Sequence, residues 1–416
     1  MPKLPQQEYR TRVQRLREVM SREGTDIFII YGDEYRRENL RYVANYWPIF
    51  ERGMLFVGLE QDPILLASPE CEHLAREMSP WPDIRLVREV GMSYVPEEVD
   101  FTNIKFTTVR EVVSELRRGK KKIKVKICGL DAMSVVLYDR LKSMITEATV
   151  ENGDAVLYAL RLVKSPNEIQ MLREAWRICD AGYKAVLEAD IVGLTENQAA
   201  AIGEKAAREA GAEHVAFSIF CSGERTNTVV GRPSQKVIEK GDMIMYALAV
   251  QYEGYIASDE WPFVANHKPN GKQAEFIHHL VKAEDLGVRS IRAGVVQGEV
   301  VRKIREYFRD NGLEPYDLYP PIHGNGLAEA ESPYPDEKTQ APFAAGVGFN
   351  FDVSLFGHPV AGSNRIEEGF VVTEGGLLAL SPLISSLREE YLGGQRPGRE
   401  VKSAQEDPQP ALDSKS

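Results

Sequence analysis

Cysteine is scarce: four residues in 416, at Cys71, Cys128, Cys179 and Cys221, and none forms a Cys-x-x-Cys pair. Such spacing excludes a disulfide scaffold and a zinc-knuckle type of site, and reduced thiols follow. Long apolar runs are also missing, since no stretch approaches the roughly 18 apolar residues of a membrane span. The opening Met-Pro-Lys-Leu-Pro-Gln-Gln-Glu lacks the basic-then-apolar layout of a leader. These absences predict a cytoplasmic protein with no membrane partner. Positive charge is in deficit, with 51 Lys and Arg against 62 Asp and Glu, a formal net charge of -11. Phosphate binding needs clustered cations, so no nucleic-acid partner is expected, and the charge serves solubility.

What the chain does hold is enough apolar material, 43% of residues, for two or three domains with cores of their own. Tyr9, Val13, Leu16 and Met20 recur at helical spacing and the helix stops at Gly24. Short β-branched and aromatic runs follow at Asp26–Tyr31, Gly53–Gly58, Pro63–Ala67 and Lys124–Leu130, with a further strand expected at Ala155–Tyr158. The basic run Arg117–Lys126 reads as a solvated edge. Residues 1–158 thus form a mixed α/β domain. A boundary lies at Lys164-Ser-Pro-Asn-Glu168, where Ser165 is a helix N-cap, Pro166 the first helical residue and Glu168 the reach-back partner of a capping box. Residues 159–390 then run helices, strands, helices, strands, which predicts an α+β domain of two related halves, with Met243–Val250 and Val347–Phe356 as counterparts. Residues 391–416 are rich in Gly, Pro, Ser and charge and read as a disordered tail.

Several segments, taken in order, carry a resemblance. They are Tyr9–Arg17 with Asn39-Leu-Arg-Tyr-Val43, then Lys164–Glu168, Gly241-Asp242, Gly254-Tyr255, His323-Gly-Asn-Gly-Leu327, Arg365-Ile-Glu-Glu368 and Val372-Thr-Glu-Gly375. Together they resemble the creatinase, prolidase and aminopeptidase P family. The resemblance implies a ribonuclease-H-like N-terminal domain, a C-terminal pita-bread domain with pseudo-twofold repeats, and a homodimer.

It also implies a site. The family's peptidases hold two divalent ions with two Asp, one His and two Glu, since paired cations make a nucleophile of water at neutral pH. Here the Asp positions fall on Ala247 and Ser258, while His323, Asp352 and Glu367 occupy the other three. The second His of the peptidases is replaced at Ala330. A degenerate metal site of the creatinase-like branch follows, with no cofactor expected. The alternative is one Mn, Co or Zn ion on Asp259, His323, Asp352 and Glu367, with a one-residue bulge turning Asp259 inward. By the creatinase comparison, Glu260 and His323 form an acid/base pair, with Asp352 and Glu367 orienting substrate. Arg225, Asn227, Arg232, Tyr255 and Glu331 are the expected substrate-binding residues; a planar guanidinium suits a carboxylate. Phe349, Phe351 and Val353 around Asp352 mark it as a buried acid.

The first expectation is a hydrolase cleaving a C–N bond in a small carboxylated or zwitterionic molecule without a metal pair. The alternatives are an Xaa-Pro dipeptidase or aminopeptidase type of metallopeptidase with an unusual ligand set, taking short peptides, and an inactive peptide- or protein-binding module.

Overall fold

The computed structural model describes residues 1–91, 99, 101–359 and 361–393. Its N-terminal sheet has six strands in the order β4-β3-β2-β1-β5-β6. They are β1 (Ile27–Asp33), β2 (Arg52–Gly58), β3 (Ile64–Ala67), β4 (Ile84–Leu86), β5 (Ile123–Cys128) and β6 (Ala148–Asn152). Strand alternation sends Phe28 and Ile30 to one core and Ile27, Ile29 and Tyr31 to another. On the first side lie α1 (Gln6–Glu23), α2 (Glu38–Ala44), α3 (Glu72–Met78) and α7 (Asp154–Leu162); on the second, α5 (Val109–Leu116) and α6 (Val135–Met144), with the short α4 (Arg88–Gly91) nearby.

Two expectations fail in this domain. The strand placed at 155–158 is the middle of α7, whose Leu157 and Leu160 are buried at helical spacing. Of the basic run, residues 118–122 are exposed to solvent as expected, but the strand it leads into, β5, lies between β1 and β6 and is no edge.

The second domain opens with α8 (Pro166–Glu188), where Ser165 and Glu168 form the expected capping box, and α9 (Glu196–Ala210), capped in the same way by Thr195 and Gln198. The antiparallel sheet that follows contains β7 (His214–Ser222), β8 (Met243–Tyr252), β9 (Tyr255–Glu260), β10 (Phe263–Val264), β11 (Ile322–Gly324), β12 (Gly348–His358), β13 (Gly362–Thr373) and β14 (Gly376–Ala379). Its main path is β10-β8-β9-β13-β12-β11, with β7 on β8 and β14 on β13. Helices α10 (Gly271–Val288) and α11 (Gln297–Asp310) separate the two groups of strands, and α12 (Pro382–Gly393) closes the domain. Helix α12 takes in residues 391–393 of the stretch expected to be a disordered tail, and the rest of that stretch, 394–416, lies outside the described residues.

Strands β8, β9, β12 and β13 are buried on both faces. In β12 the odd residues Phe349, Phe351, Val353 and Leu355 join the apolar core. The even residues Asn350, Asp352 and Ser354 are polar and equally buried on the other face. Asp352 is therefore buried as expected, through strict alternation in a covered sheet.

No helix among the described residues is long and apolar enough to cross a membrane.

Candidate active site

The polar face of the second sheet is ordered by one hairpin. Glu253 and Gly254 both take positive φ, 47° and 86°, between β8 and β9. That is the two-residue turn whose twist matches paired strands, and it fixes their register. The pairing runs without a bulge through Tyr252↔Tyr255, Ala249↔Ser258, Leu248↔Asp259 and Ala247↔Glu260. Ser258 and Glu260 therefore share a face, and Asp259 takes the other. The row continues across the sheet from Glu260 to Glu367 on β13 and from Glu367 to Asp352 on β12, with His323 opposite Asn350 one step away.

These side chains form one network. Glu367 accepts from Asn350 Nδ2 at 2.7 Å and from Ser258 Oγ at 2.9 Å. His323 Nε2 lies 3.4 Å from Glu367 Oε1 and 3.7 Å from Glu329 Oε1. Asp352 Oδ2 accepts from the Tyr319 hydroxyl at 2.8 Å, and Tyr319 accepts from Arg365 Nη1 at 2.9 Å. Arg365 Nε is 2.9 Å from Glu260 Oε2, and its Nη1 is 3.5 Å from Asp352. Among the described residues of this network, Asp352 Oδ1 and Glu260 Oε1 are buried without a hydrogen-bond partner.

The charges perturb one another. Burial favours the neutral form of Glu367, yet His323, Arg365 and Asn350 hold its carboxyl below the usual range. For Glu260 burial outweighs Arg365, and the carboxyl is pushed up to about 8. Glu329 rises to about 7 through burial and the neighbouring Glu367. Burial opposes charge on His323, but its hydrogen bond to Glu367 and the acids around it push the imidazolium up to about 10.

A cavity of about 590 Å³ opens over this face, and His323, Glu329, Asp352, Arg365 and Glu367 line it together with Arg232. The structure thus brings His323, Asp352, Glu367 and Arg232 to one place. Glu260 is fully buried beneath Arg365 and does not line the cavity, so it cannot touch substrate as the expected base.

Other expectations are overturned by position. Asp259 points to the helical side, where it shares a buried pair with Asp180 beside Cys179, because the hairpin leaves no bulge. Tyr255 is buried between the domains, accepting from Arg12 and donating to Glu168. Glu331 is held by Arg161 and Lys164 at the domain junction. Arg225 is paired with the fully buried Glu196 at 2.9 Å, and Asn227 is exposed outside the cavity.

Glu329 was missed. It lies on no strand; the loop from Asn325 is closed by a bridge between Gly324 and Glu331, and the clamp on Glu331 presents Glu329 to His323. The signal was Ala-Glu-Ala-Glu331, two acids in alternation.

One atom each from His323, Glu329 and Glu367 lie within 4.8 Å of one another. Donors roughly 2.1 Å from a tetrahedral ion sit about 3.4 Å apart, close to the spacings seen at His323. A single ion fits. Ala247 and Ser258, at the two positions where the family resemblance expects Asp, offer no carboxylate.

Residues 12–163 match the creatinase/prolidase N-terminal domain and residues 170–374 match metallopeptidase family M24. The chain is 28% identical over 296 residues to an Xaa-Pro dipeptidase of Pyrococcus furiosus, covering 71% of this chain and 83% of that protein. An Xaa-Pro dipeptidase of Pyrococcus horikoshii is 25% identical over 368 residues, 88% of this chain and 95% of the relative. Among solved structures, the X-Pro aminopeptidase of Thermotoga maritima superposes with TM-score 0.76 at 25% identity, covering 89% of this chain and 97% of the other. The prolidase of P. horikoshii, at 23% identity, shares the fold with TM-score 0.75 over 89% and 98% of the two chains. These findings favour the metallopeptidase alternative over a metal-free creatinase-like hydrolase. The expectation of no cofactor is overturned, because the matching family is one of metallopeptidases and a ligand group of the right spacing is present. With both domains matched in order, this chain belongs to the creatinase, prolidase and aminopeptidase P family of pita-bread hydrolases.

Proposed function

We propose that the chain hydrolyses short peptides of the Xaa-Pro type at a centre built for one divalent ion. The observation that carries this reading is the set His323, Glu329 and Glu367 at ligand spacing in an open cavity. Charge counting supports one ion. Glu260, Glu329, Asp352 and Glu367 are four acids facing the single fixed charge of Arg365. Once His323 gives up its proton to act as a ligand, and with Glu260 protonated, Glu329, Asp352 and Glu367 leave an excess of two negative charges over Arg365, which one divalent ion neutralises.

When bound, such an ion supplies Lewis-acid chemistry toward a peptide carbonyl oxygen. The chain's own groups do the rest. Glu367 is oriented by Asn350 and Ser258, as outer partners orient a ligand. Asp352 Oδ1, buried and unpartnered on the cavity wall, takes the proton of the attacking water as the new C–O bond forms. It returns that proton to the leaving nitrogen as the C–N bond breaks. Tyr319 and Arg365 hold the other Asp352 oxygen in place.

The test is a panel of Xaa-Pro and other dipeptides offered to purified protein before and after chelation. Cleavage that stops with chelator and returns with Mn, Co or Zn supports the reading. No cleavage of any peptide with all three metals present removes it.

A further inference from the structure

A second cavity, of about 450 Å³, lies between the two domains. One wall comes from the segment that leads into α2 and from α7; the other comes from residues 327–334 of the second domain, with Ile256 of β9. Glu329 and Ala330 belong to this cavity and to the one over the acid face, so the two spaces meet at a proposed ion ligand. Tyr334 extends the connection, its ring centroid standing 6.5 Å from that of His323.

Most charges on these walls are neutralised within the protein. Arg36 pairs with Glu38 at 3.1 Å and with Asp131 at 2.8 Å, and Arg161 pairs with Glu331. Arg37 is different. Its Nε donates to Gln251 Oε1 at 3.2 Å, as does its Nη2; its Nη1 donates to the Glu34 carbonyl at 3.1 Å, and its guanidinium lies 4.2 Å from the centre of the Trp47 ring. All of these partners are uncharged. Glu38 and Glu213, the acids whose charge reaches it most, are committed to Arg36 and Arg41. Burial accordingly pulls the Arg37 guanidinium below its usual range, as expected of a cation short of counter-charge. Three of its five N–H groups are used, and two remain.

The rest of the wall is aromatic or apolar. Tyr35, Tyr158, Tyr334, Ile256 and Leu327 line it, and the rings of Tyr35 and Tyr334 are exposed. The volume falls within the roughly 300–1,000 Å³ of small-molecule sites. An uncompensated guanidinium, aromatic walls and a carboxylate in one cavity match a zwitterion with an apolar side chain.

We propose that the interdomain cavity is a second small-molecule site that binds a free α-amino acid with an apolar or aromatic side chain. Its carboxylate meets Arg37, its side chain lies among the tyrosines, and its ammonium faces Glu329. The binding itself stands apart from the peptidase reading. One consequence rests on the ion centre: an ammonium and a divalent ion compete for Glu329, so each weakens the other by the same factor.

The test is calorimetric titration of phenylalanine and phenylalanine amide into ion-free and Mn-loaded protein, as wild type, Arg37→Met and Tyr334→Ala. Ion-free wild type is expected to bind the acid at least about 10-fold more tightly than the amide, and R37M to bind the two alike. Mn should weaken the acid about 10-fold, and saturating phenylalanine should weaken Mn equally in competition with a chromogenic chelator. Y334A removes one exposed ring and reports on the site should R37M fail to fold; a loss of about fivefold for phenylalanine is expected. Absence of binding, equal binding of acid and amide by wild type, or unchanged binding in both variants overturns the proposal. Binding kept in R37M but lost in Arg232→Met places the amino acid over the acid face and overturns it too. Binding through Arg37 with no effect on Mn affinity overturns the contact with Glu329. None of these readouts uses turnover, so a protein that cleaves no peptide still decides the site.

Discussion

The second sheet carries buried acids on both faces, and the two sets behave differently. On the cavity face, Glu260, Asp352 and Glu367 meet His323, Arg365 and the loop residue Glu329. On the helical face, Asp259 meets Asp180 of α8, and Glu368 and Glu284 meet Arg388 of α12. The helical set is buried, and burial raises the carboxyls of Asp259, Asp180, Glu284 and Glu368. Among the described residues, only the cavity face combines an opening, a histidine and donor atoms at ion spacing. A count of buried acids therefore does not find a site. What distinguishes one is access together with charge left over after internal pairing.

Substitutions on the two faces sharpen the contrast. The largest effect is expected on the cavity face: Glu367→Gln removes an ion ligand, and turnover falls by more than the roughly 10–100-fold cost of losing an outer partner, with the ion lost and the fold kept. Steady-state kinetics with metal analysis checks it. Next, Arg388→Met on the helical face strands Glu368 and Glu284 without a cation. Stability falls by about 3 kcal/mol in denaturant titration while ion content is unchanged; that figure is the low end for a broken buried pair, since both acids can stay protonated. Third, Glu329→Gln weakens ion affinity about 10–100-fold with little change in stability, read by competition with a chromogenic chelator.

The smallest effect is a slope. Asp259 has a folded pKa raised above its unfolded value, so its contribution is full below the unfolded value near ~3.9 and is lost as pH rises toward the folded value. Wild-type stability should decline with rising pH by at most about 1.4 kcal/mol per unit from this group, and Asp259→Asn should flatten the decline. A D259N protein that loses its ion would merge the two faces and break the comparison.

Much of this was legible in the chain. The capping box at Ser165 marked the start of α8, and His323, Asp352 and Glu367 stand in one cavity. The facing of Asp259 was legible too, through the two-residue turn at Glu253-Gly254, which fixes register without a bulge. Glu329 was less so, because its place depends on Arg161 and Lys164, more than 160 residues away, gripping Glu331. Tyr255 shows the same limit: its hydroxyl meets Arg12 across 243 residues of chain. Local pattern sets which way a side chain points on its strand, and long-range pairing decides what it meets.

Anomalous diffraction from crystals soaked in Mn or Zn addresses the one-ion centre most directly. The account predicts one peak per chain, within bonding distance of His323, Glu329 and Glu367, and no peak among Asp259, Asp180, Glu368 and Glu284. Two peaks a few ångströms apart on the cavity face, or a site that leaves Glu329 unbound, would contradict it.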